Sequence, residues 1–265
     1  MNRPSLERLT DIISRLRDPF EGCPWDLAQN FDSIAPYTIE EAYEVVGAIA
    51  DKNMVELNNE LGDLLFQIVF HAQLAAEAGY FTLDDVVNSI CLKMERRHPH
   101  IFGSTERAVN AAAQKADWEA IKAAERNANG AANGAISALA DVATALPALM
   151  RAEKLQLRAA RVGFDWPDIA SIRLKVDEEL AEFDLATSDA HRNEEAGDLL
   201  FVVVNLLRRH GIDAEVALRA GNAKFERRFR AMEALAGDDF PALSLGAQDA
   251  LWRQVKATES GKTTE

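Results

Sequence analysis

Cysteine is scarce in this chain: Cys23 and Cys91 are the only two among 265 residues. Two thiols cannot make a disulfide framework, so a reducing cytoplasm is the expected setting. No apolar run reaches the roughly 18 residues that a membrane span requires, and the charged opening MNRPSLERLTDIISRLRD does not read as a signal peptide. Period-two alternation of β-branched residues is nearly absent, which argues against sheets and for an all-α fold. Positive charge is also short: 29 Lys and Arg stand against 43 Asp and Glu, a net charge of −14. Simple attraction to nucleic acid or an anionic membrane is therefore not expected. An anionic substrate would have to be met by metal ions and a local basic cluster. There is no GxxxxGK[ST] sequence and no GxSxG, so a P-loop is excluded and acyl transfer is unsupported. The five histidines share no ligand spacing across the two halves described next, and they read as structural or exposed.

What the chain does have is an internal repeat. KVDEELAEF places Lys175, Glu179 and Glu182 at i, i+4 and i+7, one face of a helix. EEAGDLLFVVVNLL then sets Glu195 and Asp198 one turn apart, at the head of a run so apolar that its helix must be mostly buried. The stretches TIEEAYEVVGAIA, residues 38–50, and NELGDLLFQIVFHA repeat this arrangement earlier in the chain. Glu41 matches Glu179, Glu44 matches Glu182, Glu60 matches Glu195 and Asp63 matches Asp198, with the intervening loop three residues shorter in the second copy. KMERR, with Lys93 and Arg97, matches KFERR, with Lys224 and Arg228, and WEAIK around Trp118 matches WRQVK around Trp252. Four elements in one order make this a duplication of roughly 130 residues, each half a helical unit of its own. The expected division is 1–126, a flexible linker over 127–137 rich in small residues and Asn-Gly steps, and 138–265.

Other stretches give local expectations. Leu6, Leu9, Ile12, Ile13 and Leu16 keep helical period behind Ser5 as N-cap. EGCPWD marks a rigid turn, with Trp25 available to pin it on a core, and GFDWPD at 163–168 echoes it. Leu139 to Arg161 reads as another long helix.

The carboxylates carry the chemistry. Two on each of two antiparallel helices converge into a four-carboxylate cup. Charges at the mouth of a buried helix need a counter-charge, which a second acidic helix cannot supply, so a cation must. Hard oxygen donors without Cys or paired His suit Mg²⁺ or Mn²⁺, which complete their shell with water and substrate phosphates. Lys224 and Arg228, taken singly, read as surface charges, and Trp252 as a core or interface residue. Together with Lys175, the two are the cations an acidic protein would need to grip a polyphosphate. Carboxylate-bridged di-iron bundles use Glu-x-x-His pairs, which Glu95 and His98 fit, but the second copy has Phe229 in place of the histidine.

The motifs GCPWD, PYTIEEAYE, ELGDLLFQIVFHA, ERRHPHIF, WEAIK, ARVGFDW, EEAGDLLF and KFERRF, spread from about Leu6 to Lys256, resemble the MazG family of two-repeat nucleoside triphosphate pyrophosphohydrolases, within the all-α NTP pyrophosphatase superfamily. The resemblance implies two tandem MazG-like four-helix-type repeats joined by a flexible linker, and a homodimer. It implies Mg-dependent, broad hydrolysis of NTP or dNTP to the monophosphate and pyrophosphate. Glu179, Glu182, Glu195 and Asp198 would hold Mg²⁺, with Glu41, Glu44, Glu60 and Asp63 as a second, weaker site. Glu178, Glu179 or Glu182 would orient or deprotonate the attacking water. Lys175, Lys224 and Arg228 would grip phosphates and Trp252 would contact the nucleoside. Two alternatives stand beside it: a specialised dUTPase-like or phosphoribosyl-ATP enzyme, and a non-catalytic nucleotide-sensing protein. Because Tyr37 stands where the second copy has Lys175, the second repeat is expected to be the main catalyst.

Overall fold

A computed structural model of the chain describes residues 5–103, 110, 114, 118, 121, 125, 137–140 and 142–261. Among the described residues the protein is all-α, with no strand. It divides into two compact units, Met1–Arg126 and Asn127–Glu265. The linker expected over 127–137 lies, apart from Ser137, outside the described residues.

The first unit comprises α1 (Leu6–Leu16), α2 (Pro24–Leu27), α3 (Phe31–Ala50), α4 (Met54–Glu77), α5 (Leu83–Arg97) and α6 (Pro99–Phe102). Ser5 caps α1 as expected, its Oγ accepting from the Arg8 amide at 3.2 Å. A three-residue turn makes α3 and α4 an antiparallel hairpin, on which α1 and α5 pack through α4. Ile13, Ile34, Val69, Phe70 and Leu74 meet there as the core. The α3 helix begins well before residue 38 because Asn30 and Ser33 form a reciprocal capping box. It carries Pro36 in its second turn, at the cost of one intrahelical bond.

Trp25 does not pin the GCPWD turn on a core, since it is 53% exposed and rests edge-on against Tyr37 at 6.2 Å. Arg17 holds that turn instead. Its buried guanidinium donates to the Asp26 carbonyl and, through Nε and Nη2, to both carboxylate oxygens of Glu77. Gly22 is required because a Cβ would collide with the Asp18 and Leu16 carbonyls.

The second unit repeats the order: α7 (Ala148–Arg161), α8 (Ile169–Leu185), α9 (Asp189–Arg209), α10 (Ala214–Ala236), a 3-10 turn (Gly237–Ala242) and α11 (Leu245–Gly261). The long helix expected from Leu139 starts only at Ala148. Pro147 is extended (φ −48°, ψ 140°) and acts as its N-cap, and a proline also disfavours helix in the residue before it. Again α8 and α9 form a hairpin with α7 packed on α9, while α10 packs on α11 over a core of Met232, Phe240 and Val255. Arg208 and Arg209 grip the GFDWPD turn through Asp165 and the Trp166 carbonyl, as Arg17 grips its counterpart.

The three-residue difference between the repeats is not in the turns. Asp51–Asn53 and Ala186–Ser188 are equally long, whereas α3 has 20 residues and α8 has 17. The missing residues come from the last turn of α8.

Candidate functional site

Glu179 and Glu182 stand one turn apart on α8, and Glu195 comes from the second turn of the antiparallel α9. Each offers one carboxylate oxygen to a group whose members lie within 4.8 Å of one another. Glu41, Glu44 and Glu60 form the same group on α3 and α4. The hairpin therefore brings together three of the four expected ligands in each repeat. Asp198 and Asp63 are exposed on α9 and α4 and lie outside these groups, although the Glu41 carboxyl is raised first by burial and then by the charge of Asp63.

The surroundings of the two triads differ. In the second repeat the Lys175 ammonium lies 2.8 Å from Glu179 and 2.8 Å from Glu178, which together hold its pKa above the usual lysine range. His191, one turn before Glu195, places Nε2 2.9 Å from its carboxylate. In the first repeat Tyr37 replaces Lys175 and Glu56 replaces His191. Glu60, 9% exposed, is pushed up to about 7, first by burial and then by hydrogen bonding and repulsion with Glu56 and Glu44. Such crowded, all-oxygen donor sets fit a hard divalent cation, which would offset the repulsion among them.

The basic and aromatic residues form a second pole. Arg228 on α10 is 19% exposed at its side chain, with its guanidinium 5.5 Å over the Trp252 ring and Nε bonded to Glu259 at 2.8 Å. Arg227 shares that carboxylate at 3.0 Å. Trp252 is half-buried against the Met232–Phe240–Val255 core and near Phe225, 5.7 Å between ring centroids. Lys224 is exposed one turn before Arg228. In the first repeat Arg96 and Arg97 converge in the same way on Glu125, whose pKa they lower to about 2, and Trp118 stacks edge-on with His98.

Four side chains escaped the sequence reading. His191, taken as structural or exposed, touches a site carboxylate, and its i, i+4 spacing to Glu195 was the available signal. Glu56 sits at the same offset from Glu60. Glu125 and Glu259 each follow a tryptophan by seven residues, a spacing visible in WEAIKAAE and WRQVKATE.

Comparison with known proteins gives a consistent family. The MazG nucleotide pyrophosphohydrolase domain matches residues 29–102, which include the α3–α4 hairpin and α5. The chain is 47% identical over 262 residues to the nucleoside triphosphate pyrophosphohydrolase of Escherichia coli, covering 96% of this chain and 98% of that protein. It is 41% identical over 253 residues to the nucleoside triphosphate pyrophosphohydrolase/pyrophosphatase MazG of Thermotoga maritima, covering 94% and 95%. With the nucleoside triphosphate pyrophosphohydrolase of Mycobacterium tuberculosis it shares 35% identity over 159 residues, 59% of this chain and 46% of that one.

Proposed function

The chain belongs to the MazG nucleotide pyrophosphohydrolase family, and from that premise we propose that it hydrolyses nucleoside triphosphates to the monophosphate and pyrophosphate, with Mg²⁺ as cofactor and broad substrate range. The observation that carries this reading is the convergence of Glu179, Glu182 and Glu195 within 4.8 Å, with Lys175 at their edge. These three, with Asp198, would hold the ion. When bound, it would offset phosphate charge and lower the pKa of a coordinated water.

The chain's own side chains supply the rest. Glu178 stands outside the triad but is held at 2.8 Å by Lys175, and so is the carboxylate available to orient the water attacking the α-phosphorus. The P–O bond to the β-phosphate breaks as the new P–O bond forms, the water's proton passes to the carboxylate that orients it, and the leaving pyrophosphate takes the electron pair. Lys175, Lys224 and Arg228 grip the departing charge, and Trp252 contacts the nucleoside. The second repeat is the main catalyst because Lys175 puts a cation at its carboxylates where the first repeat has Tyr37. The first repeat binds metal and supports assembly. Its hairpin leaves Ile39, Tyr43 and Val46 on α3, and Leu61, Leu65 and Ile68 on α4, 39–51% exposed. Each trio keeps i, i+4, i+7 spacing, an apolar face suited to a second copy in a homodimer.

The test measures pyrophosphate and monophosphate release from a panel of NTPs and dNTPs with Mg²⁺. Wild type is compared with Glu179→Ala/Glu182→Ala and with Glu41→Ala/Glu44→Ala. The first pair is expected to lose turnover by about a hundredfold or more, in line with the loss of several kcal/mol of charge stabilisation, and the second to keep most of it. Retained turnover in the first pair, or its loss in the second alone, overturns the assignment.

A further inference from the structure

Both repeats converge two consecutive arginines on one glutamate that follows a tryptophan by seven residues. We infer that Glu259 is a positioning residue, which aims the forks of Arg228 and Arg227 at the pyrophosphate end of a bound triphosphate. This rests on the reading of Arg228 as a phosphate grip.

The geometry distinguishes aiming from a simple helix staple. One arginine would suffice to tie α10 to α11, yet two share the carboxylate, so the cluster keeps a positive surplus in a chain of net charge −14. In the hydrogen bonds found among the described residues, each arginine gives Glu259 only its Nε. The Trp252 ring lies over the Arg228 guanidinium at 5.5 Å. Edge and face are thus engaged, and among the described residues no hydrogen bond ties the paired terminal Nη groups to Glu259, which leaves the fork that can take two phosphate oxygens at once. In the first repeat Arg97 commits Nη2 as well as Nε to Glu125, at 2.7 Å and 3.2 Å, which consumes half of its fork. The same parts are therefore set for phosphate in one copy and closed on themselves in the other.

A long side chain held in place loses less rotamer freedom on binding than one that must be gathered from solution. Glu259→Ala should therefore raise the KM for triphosphate and the inhibition constant of pyrophosphate about tenfold. It should leave kcat nearly unchanged and the inhibition constant of the nucleoside monophosphate unmoved. Glu259→Gln, which keeps an acceptor, should recover part of the loss, and Arg228→Ala/Glu259→Ala should be no worse than Arg228→Ala. Glu125→Ala should change none of these constants.

All variants are made in the full chain and measured with Mg²⁺ beside a thermal melt. If Glu259→Ala leaves pyrophosphate inhibition unchanged or tightens it while Arg228→Ala weakens it, positioning is overturned and the phosphate grip stands. If Arg228→Ala has no effect on pyrophosphate, the grip fails and the inference falls with it. Equal weakening of pyrophosphate and monophosphate together with a lowered melting temperature assigns Glu259 to structure alone and overturns the proposal.

Discussion

In the α3–α4 hairpin, Glu41, Glu44 and Glu60 have a fourth glutamate, Glu56, and a tyrosine for neighbours; in α8–α9 those two places hold His191 and Lys175. The donor atoms are the same and the electrostatics opposite. The first hairpin holds carboxylates that repel one another. In the second, the Lys175 ammonium at 2.8 Å from Glu179 already neutralises part of the charge. Duplication gave both halves one scaffold, and two substitutions suffice to change the charge that surrounds the same three carboxylates.

Among changes around the carboxylates, exchanging those residues should have the largest effect. Lys175→Tyr removes a charged contact worth about 1.5–3 kcal/mol, so kcat/KM for triphosphate should fall by roughly ten- to a hundredfold. Tyr37→Lys should leave turnover near wild type but weaken divalent-ion binding to the first repeat, read by calorimetric titration with Mg²⁺ in a Glu179→Ala/Glu182→Ala background. Unchanged kcat/KM in the first variant would erase the distinction between the repeats.

A smaller effect is expected from pH. Glu60 is held at about 7 against 4.5 for a free glutamate. Between those values the folded chain binds more protons than the unfolded one, so this group's contribution makes metal-free stability fall as pH rises, and the penalty is complete above about 7. The predicted signature is a melting temperature lower at pH 8 than at pH 5, a gap that Mg²⁺ narrows and Glu60→Gln reduces. A slope unaffected by Glu60→Gln would break this part of the contrast.

The smallest effect concerns packing behind the sites. Thr38 Oγ1 lies 3.0 Å from His71 Nε2 in the first repeat, where the second has Val176 and Leu206. Thr38→Val alone leaves a part-buried imidazole without that partner and should cost about 1 kcal/mol, whereas Thr38→Val with His71→Leu should be nearly neutral. Chemical denaturation measures both. A double variant worse than the single would mean that the apolar pair does not fit the first hairpin.

Helix periodicity and the repeated acidic motifs made the all-α hairpins and three of the four expected ligands in each legible in the sequence, because i, i+3 and i, i+4 spacing fixes which side chains share a face; Asp63 and Asp198, read as ligands too, lie outside the groups. The capping box at Asn30 and Ser33 carried α3 past Pro36, against the local rule that proline ends helices. Trp25 was read as an anchor from its type, yet Arg17, sixty residues from its partner Glu77, does the anchoring, and no local pattern announces such a pair. His191 and Glu259 went unread for a related reason. Each acts on a carboxylate or guanidinium rather than on a ligand, so neither belongs to a ligand-spacing motif.

The missing turn of α8 bears on how insertions and deletions are tolerated. Both helices of each pair start in the same register relative to their glutamates, so the deletion shortens only one arm, by about 4.5 Å. The opening turn of α9 then overhangs its partner, and Arg192 bends back to cap the Ala186 carbonyl at 3.1 Å. Three residues are close to one full rotation of a helix, so the turn leaves at nearly its former bearing and the glutamates still meet. Loss of two would swing the returning strand of chain about 160° out of line. In this protein a gap between the halves is thus quantised by helical pitch, and an alignment that assigns it to the connecting turn misplaces the evolutionary event.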